Sequence, residues 1–149
     1  MNSYTKEVGS KLNNLLEKNY DAEAGYKKAA EHTKNTALRN YFSRKAAERY
    51  NFGHQLKSEI TNYGEKPKEG GSVAGSAHRT WMDVKAIFST DNEESMLEEA
   101  IRGEKASVEE YNDVLSEVDL PPTTRGIVME QKNTISQELN TIKRLEDLK

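Results

Sequence analysis

The chain has no cysteine in its 149 residues. That excludes disulfides, thiolate metal sites, iron–sulfur clusters and cysteine nucleophiles. Apolar residues are also scarce, at 34% against 32% charged. Side chains so rationed must be concentrated on narrow stripes if the chain is to bury a core. No run approaches the roughly 18 apolar residues of a membrane span. The first residues, Met1-Asn2-Ser3-Tyr4-Thr5-Lys6-Glu7, lack the apolar region of a secretory signal. The net charge is only −3, and Lys and Arg are interleaved with Glu and Asp, so there is no basic patch for nucleic acid. These absences lead to the expectation of a cytoplasmic protein with neither nucleic acid nor membrane as a partner.

What the chain does have is helical periodicity. A single domain spanning 1–149 is expected at this length. Four long segments carry apolar residues at steps of three, four or seven. The first, about 5–33, has Val8, Leu12, Leu15, Ala22, Tyr26 and Ala29. The second, about 36–63, has Leu38, Phe42, Ala46, Phe52, Leu56 and Ile60, with Gly64 as its stop. The third, about 92–118, has Met96, Leu97, Ile101, Val108, Tyr111 and Leu115. The fourth, about 123–149, follows Pro121-Pro122 and has Ile127, Val128, Ile135, Leu139, Ile142 and Leu145. No alternation of strand period interrupts them, so the fold class is all-α. Short links join the first helix to the second and the third to the fourth, making each pair antiparallel. Between the pairs lies a glycine-rich stretch from Gly64 to Ser76 and a short helix over about 77–88, with Trp81, Val84 and Phe88 on one face. A helix of about 25 residues is about 38 Å long, and this connection either travels back along it as a crossover, the favoured expectation, or decorates the loop of a plain up-down-up-down bundle.

Several polar residues sit where the wheel demands apolar ones. Glu104 falls in the middle of the third stripe. Asn19 lies near the centre of the first, with Glu23 at its margin. Lys45 and Arg49 fall in the second, and Gln131 and Glu138 on the apolar side of the fourth. A buried carboxylate must be paired, hydrogen-bonded or metal-bound. What faces Glu104 therefore decides its chemistry.

Glu104 and Tyr111 form an E-x6-Y pair on the third helix of a bundle with a long central crossover, and this resembles the ferritin-like superfamily. Asn19 and Tyr26 repeat the spacing on the first helix, with Asn19 in the place of a ligand Glu. The resemblance implies a ferritin-like four-helix bundle in which the second and fourth helices would each carry E-x-x-H. Here the corresponding runs are Glu48-Arg49-Tyr50-Asn51 and Glu130-Gln131-Lys132-Asn133, with Asn in place of His and pointing away from the stripe. The segment Gly70 to Trp81, together with Arg102-Gly103-Glu104, resembles one uncharacterised branch of that superfamily, a domain-of-unknown-function family of small bacterial proteins. That branch implies a fold and supplies no activity.

Cations beside a metal repel it and compete for its carboxylates. The leading expectation is accordingly a buried polar network of Asn19, Lys45, Arg49, Glu104, Gln131 and Glu138. The protein would be non-enzymatic, with no cofactor, in a scaffolding or stress-related role, and would form a homo-oligomer, most simply a dimer. The alternative is a carboxylate site of Glu23, Glu104 and Glu138 holding iron, manganese or zinc. A third reading takes Ser76, His78 and Arg79, at the start of the crossover helix, as a small-anion site. The remaining histidines, His32 and His54, lie off their stripes. No serine shows the surroundings of a nucleophile.

Overall fold

The computed structural model describes residues 3–70 and 93–148. They form four α-helices: α1 (Ser3–His32), α2 (Thr36–Asn62), α3 (Glu93–Glu117) and α4 (Pro122–Thr141), followed by a short 3-10 turn at Leu145–Asp147. There is no strand among the described residues. The expected helix at 77–88 lies outside them, as do Ser76, His78 and Arg79. No helix among the described residues is long and apolar enough to cross a membrane.

Local chemistry fixes the helix ends. Asn35 caps α2 by accepting the backbone N–H of Leu38 at 2.8 Å, which satisfies a donor the first turn would otherwise leave free. Arg39 closes the link by donating to the carbonyl of Thr33. At the other end of α2, Gly64 takes φ 76°. Its N–H bonds the Thr61 carbonyl, and the Glu65 N–H bonds that of Ile60. This is the glycine-dependent left-handed termination that uses up the last carbonyls of a helix.

α4 is shorter than its sequence period, ending at Thr141 rather than running to 149. Ile142 takes an extended backbone, and the Asp147 carboxylate accepts the N–H groups of Lys143 and Arg144. The hook so formed returns Leu148 to the core. Burial of Leu148 at this end offsets the helical hydrogen bonds given up.

Contacts between helices set their directions. Lys11 pairs with Glu117 and Lys18 with Glu110, so α1 and α3 are antiparallel. Lys45 meets Glu104 and Arg49 meets Ser107, so α2 and α3 run the same way. Gln55 meets Gln131 and Lys45 meets Glu138, so α2 and α4 are antiparallel. The end of α2 and the start of α3 therefore lie at opposite ends of the bundle. Residues 65–68 begin the return. The Asn13 side chain donates to the carbonyl of Lys66 and accepts the N–H of Lys68, Lys68 pairs with Glu17, and the Tyr20 hydroxyl donates to the Lys68 carbonyl.

This strap lies so close to α1 that a Cβ on Gly9 would stand 2.4 Å from Cγ of Glu65 and 2.9 Å from its Cβ. Those atoms are near the strap backbone and cannot simply rotate away. Gly9→Ala is expected to displace the strap and cost about 1–3 kcal/mol, as overpacking does. Faster tryptic cleavage after Lys68, with a lowered melting temperature, is the measurement.

Two apolar clusters fill the interior. One gathers Ala22, Tyr26, Ala29, Leu38, Tyr41, Phe42, Met96, Leu97 and Ala100 at the end where α1 turns into α2. The other gathers Val8, Leu12, Leu15, Leu16, Phe52, Leu56, Tyr111, Val128 and Ile135. Each fully buried Leu or Phe contributes about 1.5–3 kcal/mol. Between the clusters lies a layer that is not apolar at all.

Candidate functional site

Lys45 and Arg49 are four residues apart on α2 and so project from one face. Both are essentially fully buried, as are Asn19 on α1, Glu104 and Ser107 on α3, and Gln131 on α4. The Glu104 carboxylate lies between the two cations. Arg49 Nη2 donates to its Oε2. Lys45 Nζ stands 2.8 Å from its Oε1 as an ion pair.

The cations are held from other sides as well. Arg49 donates to Asn19 Oδ1 at 3.2 Å and to Ser107 Oγ at 3.0 Å. Lys45 donates to Glu48 Oε1 at 2.7 Å and to Glu138 Oε1 at 2.6 Å. Glu138 also accepts from Arg44 at the surface, at 2.9 Å. Counted over the connected group, Arg44, Lys45 and Arg49 stand against Glu48, Glu104 and Glu138, so the charges balance. Asn19 continues the network by donating to the Tyr111 hydroxyl at 3.0 Å. Tyr111 in turn donates to Gln131 Oε1 at 2.6 Å. Gln131 donates to the Phe52 carbonyl and to Gln55.

Electrostatics follow from this placement. Burial alone would raise the Glu104 carboxyl, but the charges of Arg49 and Lys45 outweigh it and hold the group below the usual carboxylate range. Burial would lower Lys45, but Glu104 and Glu48 outweigh it and hold its ammonium above the usual range. Burial pushes the Tyr111 hydroxyl up to about 12. Tyr26 and Tyr41 are pushed up by burial first and by the Glu104 charge second. Glu104, Lys45 and Arg49 are therefore all held in their charged forms.

The structure thus brings Asn19, Lys45, Arg49, Glu104, Gln131 and Glu138 into one connected group. Glu23 stays out of it, paired with Lys27 along α1 at 2.9 Å. Among the described residues no three His, Cys, Asp or Glu side chains are grouped as metal ligands. Asn51, Asn133, His32 and His54 are exposed. Several members of the cluster escape the sequence reading, Ser107 and Glu48 among them. Ser107 is a small residue that a stripe tolerates silently; its only signal is its place three residues after Glu104. Glu48 lies at the flank of α2 and is drawn in by Lys45 three residues earlier.

A family model described as a domain of unknown function (DUF2383) matches residues 7–117. Among curated proteins none matches the chain.

Proposed function

The chain belongs to the DUF2383 family, and from that premise we propose that it is a non-catalytic, ferritin-like bundle that acts as a self-associating scaffold. In this reading the metal position of a ferritin-like interior is closed by ion pairs. One observation carries it: the two oxygens of Glu104 face Lys45 and Arg49, where a divalent ion would have to displace both cations. The parallel course of α2 and α3 supports the ferritin-like part of the reading, because such a bundle needs one long crossover. The charge balance of the cluster supports its structural part. Fully paired buried charges fix register and helix stagger more than they add stability.

Elemental analysis of purified protein, followed by titration with Fe(II), Mn(II) and Zn(II), tests the reading. No saturable binding and no metal-dependent rise in melting temperature are expected. Stoichiometric metal that disappears in Glu104→Ala would overturn it.

A further inference from the structure

The residues through which α4 meets the rest of the bundle alternate in kind. Thr124, Gln131 and Glu138 recur every seven residues, and Val128 and Ile135, also seven apart, fall between them. Such a spacing forms a continuous seam on one helix face. Each of its polar members is bonded to α2 or to residues beside it. Thr124 donates to Glu59 Oε1 at 2.5 Å and meets the Tyr63 hydroxyl at 2.6 Å. Gln131 bonds Gln55 and the Phe52 carbonyl, and Glu138 bonds Arg44 and Lys45. A polar layer holds less tightly than an apolar one, because water replaces its hydrogen bonds when the layer opens.

Removing α4 would not orphan the buried charges. Lys45 would keep Glu104 and Glu48. Arg49 would keep Glu104, Asn19 and Ser107, and the Tyr111 hydroxyl would keep Asn19. Each buried charge thus keeps a partner of opposite sign within α1 to α3. The match to the family model covers residues 7–117, which lie before α4. The link from α3 to α4 is short, and at Pro121 it is extended, with φ −57° and ψ 153°. Short stiff hinges favour exchange of an element between copies.

We infer that α4 is exchangeable, and that the face of α2 and α3 beneath it accepts the α4 of a second copy of this chain. The partner helix brings the same three polar layers and the same apolar ones, so every bond just described is remade between chains. This rests on the reading of the chain as self-associating and names the contact through which it associates.

A charge exchange tests it. In Glu138→Lys the altered α4 meets Arg44 and Lys45 of its own chain; in Arg44→Glu a native Glu138 meets an added carboxylate. Each variant alone is expected to melt below the unaltered protein. If α4 exchanges, warming and cooling an equal mixture yields a one-to-one heterodimer by native mass spectrometry and recovers most of the lost melting temperature. Each α4 then sits on a complementary α2. Hydrogen exchange on the unaltered protein adds a readout independent of the variants. Amides of 122–141 should exchange at least ~10-fold faster than those around Leu12 to Leu16, by an opening smaller than global unfolding. Two species that keep their separate melting points, or α4 amides that exchange only with the whole molecule, would overturn the inference. An unaltered dimer with unmixed variants removes exchange and leaves the scaffold; a monomer at every concentration removes both.

Discussion

Replacing Glu104 with leucine is expected to lower the melting temperature by roughly 6–20 °C. Breaking a buried ion pair from one side costs about 3–5 kcal/mol, and in a domain of this size each kcal/mol moves the midpoint by about 2–4 °C. The cost arises in what remains. Lys45 and Arg49 are buried, and without Glu104 they face each other across a layer with no carboxylate at its centre. Glu48 and Glu138 still reach Lys45, but no carboxylate is left on Arg49, which keeps only Asn19 and Ser107. Arg49→Met combined with Glu104→Leu should therefore be less harmful than either single change. Adding Lys45→Met should recover more of the loss, since apolar residues of similar volume replace buried ion pairs at little cost. If the combined variants are no more stable than Glu104→Leu alone, Lys45, Arg49 and Glu104 are not acting as one ionic unit. Thermal melts followed by circular dichroism decide the question.

The second large effect is alkaline unfolding. The hydroxyls of Tyr26, Tyr41 and Tyr111, and the ammonium of Lys45, are all held above their ordinary ranges in the folded chain. A group with a raised folded pKa gives stability that is whole below its unfolded value and is lost as pH rises through the folded one. The unfolded values are about 10 for tyrosine and about 10.4 for lysine. Loss therefore begins near pH 10 and grows above it, and four groups contribute together. On the acid side the sign reverses. Glu104 is held below its ordinary 4.5, so its contribution is present above that value and is lost as pH falls through the lowered one. Stability should be broad and flat between, then fall steeply above about pH 10. The absorbance of ionised tyrosine should include a step that coincides with loss of helix in circular dichroism. Ionisation of Tyr26, Tyr41 and Tyr111 well before helix is lost would mean that their surroundings are wetter than the structure places them.

The interior was open to sequence reading because Glu104, Lys45 and Arg49 interrupt regular stripes. A charged residue at a position where neighbours three and four away are apolar has one physical meaning: it is inside and needs a partner. The identity of that partner is less legible, since it depends on how four helices are staggered. Ser107 illustrates the difficulty, because a serine on a stripe costs little and draws no attention. The strap is harder still. Gly9 and Asn13 act on residues 65–68, which are remote in the chain and have no period of their own. The end of α4 misleads for the opposite reason. Ile142 continues the helical spacing, yet it packs from an extended backbone once Asp147 turns the chain.

The layer around Glu104 also orders the events of folding. Asn19, Lys45 and Arg49 belong to the α1–α2 hairpin; Glu104, Ser107, Gln131 and Glu138 belong to the α3–α4 hairpin. Each hairpin forms through contacts close in sequence, which are fast to make. The charged groups keep their water until the two hairpins meet, and lose it only then. Docking is thus the step at which these ions lose their water, and the same ions fix its register.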